Sequence, residues 1–247
     1  MVSNRLATAC QQYPHTTHSA RTTVRGDTHT HPRAIVGSPT LEYVAPEGVA
    51  QNLASNSCVD AEGTSLAVFG DKNSGKSTLL NVIGLIDTAD SGDIFFFNEN
   101  LKDINDVKQN LIRRDKIGFV YQSNNLFSDF TAIENVTIPQ LLLGANKKDA
   151  YNSAFKCLDI LGLSARINHL PKDLSGGEQQ RVAIARAIIN EPKIIIADEP
   201  TGNLDKNTSN DVFEHLINFV YSQKISLIMA THNLDLARKS DHQIKLV

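Results

Sequence analysis

A chain of 247 residues with 41% hydrophobic content is long enough for one large or two small domains and apolar enough to bury a core. Its 24 basic and 27 acidic side chains give a net charge of −3, which excludes nucleic-acid binding driven by overall charge. Cys10, Cys58 and Cys157 match no disulfide framework or zinc spacing, which points to a reducing compartment, and no apolar run approaches the ~20 residues of a membrane helix, so any membrane role passes through a partner.

In chain order, residues 1–33 read as a disordered extension. They carry four Arg, four of the eight His and many Thr, with Asp27 as the lone acid and no apolar core of a secretory signal. From Ala34 to Val247 the pattern is globular. Ser65–Phe69 is a short apolar strand, followed by helical spacing over Ser77–Ile86. Ile94–Phe97 and Ile117–Val120 are β-rich runs, and Ala150–Leu161 has helical periodicity. Gly176–Ile189 predicts a helix, Lys193–Ala197 a buried strand and Asp211–Tyr221 a helix. Ser226–Ala230 predicts a last buried strand and Asp235–Lys239 a short helix. Continuous apolar strands alternating with helices predict an α/β fold whose parallel sheet is covered on both faces.

The stretch Gly70-Asp-Lys-Asn-Ser-Gly-Lys-Ser77 fits the phosphate-loop pattern of two glycines with four residues between them, followed by Lys and Ser/Thr. It stands between a predicted strand and a predicted helix, the context in which that pattern has a mechanism. The glycines let backbone N–H groups approach phosphates, and the helix turns its positive end toward them. Lys76 is then a point charge for the β/γ-phosphates, and Ser77 offers a hydroxyl to Mg²⁺.

Asp198 and Glu199 close the strand Lys193–Ala197, at the sheet edge where open α/β folds bind ligands. Asp198 is the candidate Mg²⁺ ligand, through water. Glu199 is the candidate to polarise an attacking water. Leu174-Ser-Gly-Gly-Glu178 begins a helix with a glycine pair, so Ser175 and the amides of Gly176 and Gly177 form a second anion site. A second such site in a chain with one phosphate loop makes sense if it meets the γ-phosphate of another copy. Gln122 ends the strand Gly118–Tyr121 and could reach Mg²⁺ or the water. His232 follows the strand ending at Ala230 and Thr231, and could touch the γ-phosphate.

Together these stretches resemble the ATP-binding cassette (ABC) ATPases from about Thr40 to Val247. The family order is kept: Gly70–Ser77, Gln122, Leu174–Glu178, Ile194–Glu199, Gly202-Asn-Leu-Asp205 and His232. The resemblance implies a phosphate-loop NTPase fold with a partly antiparallel β subdomain and a helical subdomain over about 123–175. It implies ATP and Mg²⁺ as ligands. ATP contacts fall on Gly70, Asp71, Lys72, Asn73, Ser74, Gly75, Lys76, Ser77 and Thr78. From the partner copy of a homodimer they fall on Ser175, Gly176 and Gly177. Glu178 and Asp205 also belong to the ATP set, and Tyr43 stacks on adenine. Mg²⁺ falls to Ser77, Gln122 and Asp198, and catalysis to Glu199, His232 and Gln122.

Asn203, Glu178 and the segment 124–136 further resemble the LolD/MacB/FtsE group, most of all its lipoprotein-release ATPases. Those imply a peripheral ATPase at the cytoplasmic face of the bacterial inner membrane. It pairs with separate LolC/LolE-like permease subunits and does not bind nucleic acid. The alternatives within the group are an FtsE-like regulator and a MacB-like export ATPase. Three departures stand out. Asp71 and Asn73 replace a proline and a glycine usual in the family's loop. Ile35–Leu66 matches poorly. The C-terminus stops without the family's final turn and strand.

Overall fold

The computed structural model describes residues 33–37, 40–44, 63–88, 93–96, 99–101 and 104–246. The extension expected over residues 1–33 lies outside the described residues except for Arg33, which opens the first strand. Cys10 and Cys58 also lie outside them.

Five parallel strands form the main sheet in the order β6-β7-β8-β3-β9. They are β3 (Ser65–Gly70), β6 (Ile117–Tyr121), β7 (Ile194–Asp198), β8 (Ser226–Thr231) and β9 (His242–Leu246). The central strands are apolar nearly throughout because both faces are covered. Their alternate residues feed two separate cores. Leu66, Val68, Ile194, Ile196, Ile228 and Ala230 pack with Leu80 and Ile83 of α1 (Lys76–Ile83) on one face. Ala67, Ile195, Ala197, Leu227 and Met229 turn the other way. There they meet α3 (Ala132–Leu142), α4 (Lys147–Ile160), α5 (Gly176–Ile188), α6 (Lys206–Gln223) and α7 (Leu234–Ala237). The helix that follows the phosphate loop and the helix that follows Leu174–Ser175 therefore lie on opposite faces.

A second sheet has the order β2-β1-β4-β5. Within it β1 (Arg33–Gly37) is antiparallel to β2 (Thr40–Val44) and parallel to β4 (Asp93–Phe96), and β4 is antiparallel to β5 (Glu99–Asn100). This is the partly antiparallel β subdomain expected beside the main sheet. The helix α2 (Asp106–Lys116) leads from it into β6.

The last described strand is β9, which the sequence pattern did not announce. It pairs along β3 from Leu66↔His242 to Gly70↔Leu246. As the edge strand it buries Ile244 and Leu246 and exposes the residues between, so it has no continuous apolar run to announce it. Several helix bounds also move, two of them for plain local reasons. α1 ends at Ile83 rather than Ile86, because Gly84 stops it and Leu85 turns to φ +59°. α6 begins five residues early, where Asp205 accepts from the amides of Asn207 (3.1 Å) and Thr208 (3.2 Å) and caps a wholly polar first turn.

Candidate functional site

Parallel pairing delivers the carboxyl ends of β3, β6, β7 and β8 to one edge. Phe69 lies opposite Thr231, Tyr121 opposite Asp198, and Asp198 opposite Ala230. The next residues along the chain are the phosphate loop, Gln122, Glu199 and His232. The structure thus brings four separate stretches to a single edge, as ligand sites in open α/β sheets require.

The loop between β3 and α1 is built by two left-handed residues, Asn73 at φ +69° and Gly75 at φ +87°. Asparagine tolerates that region through its short polar side chain, which is how the loop forms without the family's usual glycine at position 73. The Ser74 amide donates to the Asp71 carbonyl (3.2 Å) and closes the turn. Lys76 is only 6% exposed, so its ammonium must be partnered. It donates to the carbonyls of Gly70 (3.0 Å) and Asp71 (2.6 Å) and lies 3.5 Å from the Ser74 hydroxyl. Lys76 therefore holds the loop in shape from within. The Asp71 and Lys72 side chains point to solvent, and Ser77 and Thr78 are exposed. The N-terminus of α1 has no side-chain cap and no acid in its first turn, so its amides and its dipole face outward unopposed.

At the end of β7, Oδ1 of Asp198 is buried without a hydrogen-bond partner. A buried lone acceptor on a carboxylate suits a hydrated cation, and Ser77 and Gln122 supply further oxygen donors on the same edge. Mg²⁺ fits this set, since it prefers one or two carboxylates, water and substrate phosphates to an all-protein cage. Among the described residues no group of three or more His, Cys, Asp or Glu could hold a metal alone. Glu199 follows with φ +48°, and its amide donates to the Ala230 carbonyl (2.9 Å). Its Oε2 meets Nδ1 of His232. The two line a cleft of about 350 Å³ with Thr201, Gly202 and Thr231. The pairing leaves Nε2 of His232 as the ring atom free to meet a ligand.

On the opposite face, Ser175 caps α5. Its hydroxyl accepts from the Glu178 amide (3.3 Å), and Glu178 Oε2 accepts from the Ser175 amide (2.8 Å). This reciprocal capping box uses two of the helix-start donors. The backbone N–H of Ser175 holds the Glu178 carboxyl below the usual carboxylate range, so it stays ionised. Arg166 Nε faces its Oε1 at 3.0 Å and compensates the charge. A Cβ on Gly177 would come within 2.4 Å of the Thr208 methyl, so the second glycine lets α5 approach α6 closely. The sheet thus separates Ser175–Glu178 from α1. Asp205, expected near ATP, is engaged as the α6 cap. Of Tyr43 the strand β2 is described and the side chain is not.

Four supporting residues were given no individual contact by the sequence. Arg186 donates to the carbonyls of Asn124 and Asn125, both at 2.7 Å, and anchors the segment after Gln122. Gln180 donates to the Tyr121 carbonyl at 3.0 Å. Asn135, fully buried in α3, donates to the carbonyls of Phe127, Phe130 and Thr131 and accepts from the Phe127 amide. Asn203 pairs with Gln122. Asn135 and Asn203 lie in stretches that the resemblance covers, but local spacing does not show which groups they hold.

A phosphate loop, a carboxylate pair at the strand ends and a glycine-started helix on the far face define a P-loop ATPase of the cassette type. The model of the ABC transporter family matches residues 57–202. The chain is 45% identical over 184 residues to the lipoprotein-releasing system ATP-binding protein LolD of Nitrobacter hamburgensis, covering 74% of this chain and 79% of that protein. It is 48% identical over 185 residues to LolD of Rickettsia bellii, covering 75% and 81%. Among solved structures, the dimeric ABC transporter cassette MJ0796 superposes with a TM-score of 0.70 at 34% identity, covering 87% of this chain and 91% of that one. A dimeric post-hydrolysis state of MJ0796 bound to ADP and Pi matches equally. The chain belongs to the ABC transporter family as an ATP-binding subunit. Within that family it is of the LolD type.

Proposed function

We propose that two copies of this chain close on two ATP molecules and drive lipoprotein release by separate permease subunits at the cytoplasmic face of the inner membrane. The observation that carries the reading is the division of one site between two sheet faces. The open α1 terminus and the Glu199–His232 pair occupy the carboxyl edge, while Ser175–Gly177 start a helix on the opposite face. A two-fold, self-complementary dimer reunites such halves. The dimeric state of MJ0796 bound to ADP and Pi supports the same arrangement.

In this reading the loop amides and Lys76 bind the β/γ-phosphates. Ser77, Gln122 and Asp198 would hold Mg²⁺, which supplies charge neutralisation. Glu199 orients the attacking water, and His232 fixes the Glu199 carboxylate through Nδ1 while Nε2 faces the γ-phosphate. Ser175 and the Gly176 and Gly177 amides complete the site from the other copy. Phosphoryl transfer depends mostly on such positioning and charge stabilisation. For the permease, a groove of about 540 Å³ is lined by Arg113, Arg114, Phe119, Tyr121, Leu142 and Asn190. Its floor includes β6 and its wall α3, so it borders the Gln122 segment. No helix among the described residues is long and apolar enough to cross a membrane.

The test is Glu199→Gln. The variant is expected to bind ATP and accumulate as a dimer while hydrolysis falls at least 100-fold, read by phosphate release and sedimentation. Hydrolysis at the parent rate would sink the assignment. Co-purification from membranes then identifies the partner class: permease subunits support lipoprotein release, and cell-division proteins support an FtsE-like regulator instead.

A further inference from the structure

We infer that Asn203 is a positioning residue for Gln122, holding its side-chain amide so that Oε1 is left free to ligate a divalent cation. The inference rests on the reading of Gln122 as an Mg²⁺ ligand.

Two hydrogen bonds join the residues. Gln122 Nε2 donates to Asn203 Oδ1 at 3.1 Å, and Asn203 Nδ2 donates to the Gln122 backbone carbonyl at 3.1 Å. The pair fixes its own orientation. The Gln122 carbonyl can only accept, so the end of Asn203 facing it must be the NH₂ group. Oδ1 of Asn203 then faces the Gln122 side chain, and an acceptor there demands the NH₂ end of Gln122. The remaining end of the Gln122 amide is Oε1, and oxygen is the end a hard divalent cation takes. Without Asn203 the amide could turn either end to the site.

The surrounding loop is built to keep this contact. A Cβ on Gly202 would fall 2.8 Å from Gln122 Nε2 and 3.2 Å from Glu199 Oε2, so a larger residue there would displace these side-chain ends. The Gly202 amide donates to the Glu199 carbonyl (3.0 Å) and the Leu204 amide to the Thr201 carbonyl (3.1 Å). Asp205 then anchors the loop to α6. Asn203 thus stands on a hydrogen-bonded turn that lies against the Gln122 and Glu199 side chains together. Serine is too short to bridge as asparagine does, and alanine makes neither bond.

The test uses Mn²⁺ as the probe, with the full chain and a non-hydrolysable ATP analogue, read by electron paramagnetic resonance. Asn203→Ala is expected to weaken Mn²⁺ binding about 2- to 12-fold, the range for one net hydrogen bond, with metal-free analogue affinity unchanged. Asn203→Ser, a turn-compatible replacement, is expected to do the same. In a Gln122→Ala background, Asn203→Ala is expected to add nothing. Parent-like Mn²⁺ affinity in both Asn203 variants, with weakening in Gln122→Ala, overturns the inference alone. Parent-like affinity in Gln122→Ala overturns the ligand assignment and the inference with it. An additive loss in the double variant also overturns the inference, because Asn203 would then act by another route.

Discussion

The N-terminus of α1 has no side-chain cap, and the N-terminus of α5 has two, the Ser175 hydroxyl and the Glu178 carboxylate. Both helices start at glycine-containing turns, and both suit an anion on general grounds. Their chemistry differs. At α1 the first residue is Lys76, whose ammonium lies on the Gly70 and Asp71 carbonyls, and no acid stands in the first turn. At α5 an ionised carboxylate lies within the first turn, and its own arginine offsets it. The first terminus is built to hold phosphate charge by itself. The second has only the Gly176 and Gly177 amides and the Ser175 hydroxyl to offer, which suits a surface that completes a site already filled. α3 sharpens the point. Thr131 and Glu134 cap it with the same reciprocal box, yet no glycine follows Thr131.

Removing Lys76 should show the largest effect, because α1 is the holding half. Lys76→Ala removes the brace on the Gly70 and Asp71 carbonyls and, in the proposed reading, a charge-assisted contact to phosphate. ATP affinity is expected to fall about 100-fold or more, read with a fluorescent analogue. Binding within threefold of the parent would break the comparison, since the amides alone would then suffice.

Next comes Gly177→Ala. The added methyl meets the Thr208 methyl at 2.4 Å, and the Thr208 side chain is itself tied to Asp205. Overpacking between α5 and α6 should lower stability by about 1–3 kcal/mol in urea denaturation. Nucleotide binding to the monomer should survive, because α1 packs on the other face. Gly176→Ala meets only the Leu204 side chain at 3.3 Å, so its cost in stability should be smaller.

The paired caps give a control with a smaller effect. Ser175→Ala and Thr131→Ala each remove one cap hydroxyl and should each cost about 1 kcal/mol of stability. Only Ser175→Ala should also impair ATP-driven dimerisation and hydrolysis. Equal losses of hydrolysis from both would mean that capping alone, and not contact with nucleotide, explains Ser175.

How much of this could be read from the chain follows from what each residue does locally. Gly70–Ser77, Asp198–Glu199 and Leu174–Glu178 were legible because local spacing dictates their chemistry. The buried strands were legible as continuous apolar runs. The edge strand β9 was not, since half of it faces water. The first turn of α6 was hidden by five polar residues that a cap alone makes helical. The Gln122–Asn203 pair and the Arg166–Glu178 pair join residues far apart in sequence, and only the fold brings them together.

The smallest effect tests the charge balance at α5. Arg166 is half exposed and pairs with Glu178 at 3.0 Å, so the pair contributes little to folding, on the order of 0.2–1 kcal/mol. Its larger role lies in what Glu178 does to an approaching phosphate. Arg166→Ala leaves the carboxylate uncompensated, and ATP-driven dimerisation should weaken about 2- to 5-fold with ATP affinity of the monomer unchanged. Raising salt should shrink that difference, because the Arg166 end of the pair is half exposed. The pH profile gives an independent reading. Glu178 is held below the ordinary carboxylate range, so its stabilisation is complete above about pH 4.3 and is lost as pH falls through the lowered value. Glu178→Gln keeps an acceptor for the Ser175 amide but removes the titration. Below about pH 4.3 the variant should therefore lose stability less steeply than the parent. Parallel acid-denaturation curves would show that the carboxylate is not what holds the start of α5.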